Sequence, residues 1–205
     1  MPLPGQPPGP YFREHDERMQ ATIDAAVASQ GLGYLTRILL ASGTEDADGL
    51  TCARYMKRQI IYFANLRGRS AILECIVIGE EKSGATGRPQ ILSARGQLLG
   101  VEPLSDGSLL GKVDLVALVS NWPHLLPAGS YFKHIIPEIP SVRWSSGDGR
   151  GCLNMPYRKY LLREFAHYVA TMTIDRNGCH FDSVYEAACL EWSHLHFPSV
   201  PYCPD

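Results

Sequence analysis

The residues with most chemical capacity lie in the last third of the chain. Cys152, Cys179, His180, Cys189, His194, His196 and Cys203 supply the thiols and imidazoles that zinc selects. Their spacing contains no C-x2-C knuckle and matches no common zinc module. Partly buried reduced thiols are therefore the preferred reading, no cofactor is expected, and zinc is the alternative. The dipeptide Cys179-His180 lacks the C-x-x-C-H context of covalent haem attachment. Phosphate chemistry is raised by Gly79–Pro89, where Gly79, Lys82, Ser83, Gly84 and Gly87 follow an apolar run. A P-loop needs G-x-x-x-x-G-K-[ST] leading into a helix. Here the lysine precedes the second glycine and the pattern predicts a strand next, so the segment reads as a hairpin loop. No G-x-S-x-G, H-E-x-x-H or G-x-G-x-x-G motif occurs. Seven histidines allow triads on paper, and none is assigned. A catalytic pocket, if formed, is expected where His167, His180 and Asp175 meet residues 121–151.

The same cysteines raise disulfide chemistry. Cys179 and Cys189 are separated by nine residues. That spacing resembles one half of the twin Cx9C motif of small mitochondrial intermembrane-space proteins. The twin motif needs two such pairs on facing helices, and the second pair is absent here. One pair on one helix cannot close: ten residues of helix span about 15 Å, whereas bridged Cα atoms lie within about 7 Å. Cys152 and Cys203 are the outside partners that an oxidising compartment would offer. Cys52 and Cys75 lie on or beside apolar faces and read as small core residues.

Charge gives the positive lead. Residues 51–69 carry Arg54, Lys57, Arg58, Arg67 and Arg69 with no acid. Residues 142–163 carry Arg143, Arg150, Arg158, Lys159 and Arg163 against Asp148 alone. Helical spacing puts Arg54 with Arg58, and Lys159 with Arg163, on common faces, with Tyr55, Tyr62, Tyr157 and Tyr160 interleaved. Such faces could hold a phosphate backbone and stack bases. An ordinary solvated helix face is the competing explanation, favoured by the net charge of −2 and the acidic C-terminal stretch.

Several elements must position these residues. Residues 13–30 read as a helix with Met19, Ile23, Ala26 and Val27 on one stripe, stopped by Gly31. Tyr34–Ala41 is a short apolar run of undecided type, and 43–49 is an acidic loop. A second helix is predicted over about 52–66, with Ala53, Met56, Ile60, Phe63 and Ala64 inward and Gly68 after it. Ala71–Ile78 reads as a strand from its β-branched content. Residues 90–104 and 108–119 read as two more, joined around Asp106-Gly107, a hairpin signal. Five Gly or Pro breaks between 121 and 140, ahead of the loop at 145–151, predict irregular structure across 121–151 anchored by Trp122, Tyr131, Phe132 and Trp144. A third helix is predicted from about Pro156 to Met172, burying Leu161, Phe165, Tyr168, Val169 and Met172. A fourth starts at the Ser183/Glu186 capping box, with Val184, Ala188, Trp192 and Leu195 as its stripe.

The expected fold is therefore α+β: an antiparallel β-meander over about 70–119, flanked by N- and C-terminal helices. Residues 1–10 hold five prolines and form an extended arm. Residues 11–197 form a single globular domain, and 198–205 an extended tail. A chain of 205 residues can bury a sizeable core. A hydrophobic content of 45% with 20% charged residues excludes wholesale disorder. No stretch reaches the roughly 20 apolar residues of a membrane span, and the N-terminus carries no secretory or mitochondrial leader pattern. The expected location is cytoplasmic or within an assembly, with the mitochondrial intermembrane space as the alternative from the cysteine spacing.

With no assembled active-site motif, the expected function is that of a non-catalytic interaction or structural protein, a subunit of a larger organellar or viral assembly. Its partners would be other protein subunits, including further copies of itself. The first alternative is RNA binding through the two basic helix faces. The second is an enzyme or zinc protein centred on the C-terminal Cys/His segment.

Overall fold

The computed structural model describes residues 10–41, 51–79, 87–148 and 156–173. Along the chain run α1 (Pro10–Gly31), β1 (Ile38–Leu40), α2 (Cys52–Leu66), a 3-10 turn (Ser70–Cys75) and β2 (Ile76–Ile78). Then come α3 (Gly87–Leu98), β3 (Val116–Ser120), α4 (Trp122–Ile135), β4 (Ser141–Ser145) and α5 (Tyr157–Ala170). Among the described residues the strands form two separate two-stranded sheets, β1 with β2 and β3 with β4, and both pairs are parallel.

This overturns the expected antiparallel meander. Parallel strands cannot be joined by a tight turn, because the chain must first return to its starting end. Here α2 makes that return for the first pair and α4 for the second. Of the run 71–78 only Ile76–Ile78 is strand. None of 90–104 is strand, because α3 extends to Leu98 and turns follow it. Ile91, Ala94 and Leu98 fall three and four apart, and all three pack into one core. Asp106-Gly107 does form a turn. Gly107 has φ +82° and donates its N–H to the Leu104 carbonyl (2.9 Å), while Asp106 Oδ1 accepts from the Ser108 N–H and hydroxyl. The residues directly flanking that turn are not strands, and of the expected strand 108–119 only Val116–Val119 is strand, as part of β3. Turn chemistry is local, whereas ladder partners are distant.

Residues 121–151 also depart from expectation, because α4 and β4 replace most of the irregular region. Asn121 caps α4, its Oδ1 accepting from the His124 N–H (3.1 Å), and Pro123 fits the first turn, where its missing donor costs nothing. Pro127 lies inside the helix, a position that costs about 3 kcal/mol in an isolated helix. Burial of Leu125, Phe132 and Ile135 offsets this, each removing some 1.5–3 kcal/mol worth of apolar surface from water.

Two cores result. The first joins Met19, Ile23 and Ala26 of α1 to Ala53, Ile60 and Ala64 of α2, and to Ile38, Leu40, Ile72 and Ile76. The second joins Ala94 and Leu98 of α3 to Phe132, Ile135 and Ile136 at the end of α4, with Val116 and Leu118 of β3 against them. Residues 1–9 of the N-terminal arm, the acidic loop 43–49, most of the Gly79–Pro89 loop, the predicted fourth helix and the C-terminal tail lie outside the described residues, while Pro10, expected in the arm, begins α1.

Candidate interaction surface of the β3–α4–β4 unit

Strand alternation gives the β3–β4 sheet two distinct faces. Val116 and Leu118 point toward α4 and the second core. In β4 the corresponding residue is Arg143, whose guanidinium lies over Gly129 of α4, occupying the place where a Cβ would stand. Val142 and Trp144 therefore project to the opposite face, where they are 46% and 36% exposed. All five residues of β4 are exposed. Parallel sheets are ordinarily covered on both faces; here α1 approaches β3 and, less closely, β4, yet β4 stays exposed along its length. Trp122 stands at its carboxyl end, also exposed, its backbone N–H donating to the Gly147 carbonyl (3.0 Å).

Behind this surface runs a buried polar seam between the first turn of α4 and the middle of α5. The Tyr160 hydroxyl donates to Asn121 Oδ1 (2.6 Å). His124 Nδ1 lies 3.1 Å from Glu164 Oε2. Arg163 places Nη2 2.8 Å from Glu164 Oε1 and its guanidinium 5.3 Å from the Tyr160 ring centre. Glu164 and Arg163 are almost wholly buried, whereas the His124 side chain is about one quarter exposed. Burial alone pushes the Glu164 carboxyl up. The His124 charge and hydrogen bond, with those of Arg163, overcome this and bring its pKa down to about 2. Glu164 is therefore ionised at neutral pH. A carboxylate at Nδ1 orients an imidazole and fixes its tautomer, the arrangement that can prepare Nε2 for proton exchange. In this molecule it also ties α4 to α5.

The spacing of α5 had predicted a different face. Leu161, Phe165, Tyr168, Val169 and Met172 were expected to be buried, yet Phe165 is 57% and Met172 60% exposed. Tyr160, Arg163, Glu164 and Ala170 are buried instead. The helical period is as expected and the rotation is not, because the polar first turn of α4 requires polar partners. The sequence signal for the seam is Asn121 two residues before Pro123, a helix start. The i, i+3, i+4 spacing of Tyr160, Arg163 and Glu164 completes it.

The basic faces are divided by the fold. Arg54 and Arg58 are exposed on the outer side of α2, and Lys57 is half-buried. Arg67 pairs with Asp24 of α1 (2.5 Å) and Arg69 is exposed just beyond the helix. On α5, Arg158 and Lys159 are exposed, while Arg163 turns inward and leaves that face. The structure does not bring α2 and α5 into one basic surface through Arg163. Cys52 and Cys75 are buried, and Cys75 Sγ accepts from Gln30 Nε2 (3.2 Å). Cys152, Cys179, His180, Cys189, His194, His196 and Cys203 lie outside the described residues, as does Asp175 of the expected catalytic pocket. Among the described residues no cluster of three or more His, Cys, Asp or Glu could hold a metal ion, and no helix is long and apolar enough to cross a membrane.

Comparison with known protein families, with curated proteins and with solved structures found no match.

Proposed function

We propose that this chain is an interaction or structural protein, a subunit of a larger assembly, with the outward side of β4 as its working surface. The observation that carries this is the exposure of all five β4 residues, with Val142 and Trp144 presenting apolar surface to solvent. Aromatic residues at an exposed patch are the usual anchors of protein interfaces. The polar seam serves this reading by fixing the start of α4, and with it the adjoining end of β4, against α5.

Sizing by light scattering, on protein purified from its native source, tests the proposal. The expected particle is larger than one chain, and Trp144→Ala should shift it toward the monomer without altering the circular dichroism. A monomer with no co-purifying partner would sink the reading.

RNA binding remains as a second reading, favoured by the exposed pair Arg54 and Arg58 on one stripe of α2. If those side chains neutralise two phosphates, Arg54→Glu with Arg58→Glu should flatten the salt dependence of single-stranded RNA binding. The slope of log K against log salt should fall by roughly 1.4, about 0.7 for each contact. An unchanged slope removes this reading.

A further inference from the structure

The open edge of β4 has a readable chemistry. The register runs from Val116↔Ser141 to Ser120↔Ser145. At its two ends the Val116 N–H donates to the Pro140 carbonyl (3.0 Å) and the Ser146 N–H donates to the Ser120 carbonyl (2.8 Å). In a parallel ladder these bonds fix the phase. The backbone groups of Pro140, Val142, Trp144 and Ser146 turn toward β3. Those of Ser141, Arg143 and Ser145 turn outward, away from it. Among the described residues β3 is the only strand beside β4. The edge therefore offers N–H and carbonyl groups in alternation, with no bulge or proline within the strand to block them.

Side chains add a second pattern. Arg143 is the one charged residue of β4 and has no acidic partner among the described residues. Ser141 and Ser145 share its face, and Val142 with Trp144 form the other. A strand laid along this edge would meet small polar residues at its ends, a cation at its centre, and apolar neighbours on the reverse face.

We propose that β4 is a docking strand, completed by strand addition from an extended segment of another protein. That segment carries an acidic residue opposite Arg143, flanked on each side by β-branched or aromatic residues that meet Val142 and Trp144. The proposal rests on the interaction reading above and names the partner's chemistry. Charge complementarity selects it. A second copy of this chain is the poorer occupant. Antiparallel pairing of β4 with itself over all five residues places Arg143 opposite its own counterpart, and like charges directly opposite are destabilising. A nucleic acid is poorer still. Its phosphates only accept hydrogen bonds, and its 2′-hydroxyl and base donors do not repeat at the strand spacing of the outward carbonyls of Ser141, Arg143 and Ser145.

The test is an NMR titration of the full chain with the peptide Ser-Thr-Val-Glu-Val-Thr-Ser, compared with Ser-Thr-Val-Lys-Val-Thr-Ser. Both read the same in either direction, so strand orientation is not presupposed. The glutamate peptide should shift the amides of Ser141, Arg143 and Ser145, and should bind about tenfold tighter than the lysine peptide. Arg143→Glu should reverse that order. Ser141→Pro removes only an outward-facing N–H and leaves the β3 ladder intact, so it should weaken both peptides while the fold persists. Equal binding of the two peptides, no binding of either, or an unchanged order in Arg143→Glu would overturn the proposal. So would a dimer paired through β4, or oligouridine shifting the same amides in place of the peptides. An assembly in which these three amides exchange as fast as in the isolated chain would sink strand addition alone. A lone monomer from the native source would instead sink the interaction reading itself.

Discussion

Replacing Glu164 with glutamine is expected to destabilise the protein by about 3 kcal/mol at neutral pH. Two routes give this figure. The carboxyl is held near 2 against an ordinary value of 4.5, and each unit of such a difference is worth about 1.4 kcal/mol. Independently, removing one partner of a buried ion pair costs about 3–5 kcal/mol, because the other charge stays buried. Here that charge is Arg163, whose guanidinium would lose the Glu164 carboxylate.

The sign with pH follows from linkage. The folded carboxyl titrates below the unfolded one, so the unfolded chain binds more protons as pH falls. The contribution is complete above about 4.5 and is lost as pH drops through about 2. Urea unfolding of the native chain and of Glu164→Gln, repeated from pH 7 down to pH 3, checks this. The gap between the two should narrow steadily below about pH 4.5. A gap that stays constant over that range would show that the carboxylate is not held by the seam.

The second large effect is expected at Phe132. It is 2% exposed in the second core, against Ile135, Ile136 and Leu98. Phe132→Ala removes that packing and leaves a cavity under the β3–β4 sheet, at a cost of about 3–5 kcal/mol. Phe165→Ala is the informative contrast. Spacing along α5 had placed Phe165 in the core, yet the ring stands 57% exposed, so its loss should cost less than about 1 kcal/mol. Urea midpoints for the two variants separate the cases. Equal losses would mean that α5 packs on its predicted face after all. The same pair bears on function: a variant that keeps its stability while losing a partner points to Phe165 as part of the interaction surface.

What the sequence determined by itself is the set of elements whose cause is local. The second helix is Cys52–Leu66, within the span read from spacing. Thr51 accepts from the Arg54 N–H to start it, and Gly68 adopts φ +63° just past its end. Both signals act within one turn, so no partner is needed to interpret them. The periods of α1 and α5 were legible for the same reason. The buried stripe of α1 was legible too, since Met19, Ile23 and Ala26 are all in the core.

Tertiary structure alone decided three things. It chose parallel over antiparallel pairing, because a strand's propensity says nothing about which edge it will meet or in which direction. It carried α4 through Pro127, because burial of Leu125, Phe132 and Ile135 outweighs a lost backbone bond. It also turned Arg163 and Glu164 inward on α5. A buried charge needs hydrogen-bond partners, and one of those that Glu164 uses, His124, lies forty residues away in sequence. The exposed β4, the feature on which the proposed function rests, belongs to this second group. Its five residues contain nothing unusual as a sequence, and it is the lack, among the described residues, of a strand on its outer edge that makes Arg143 and Trp144 available to a partner.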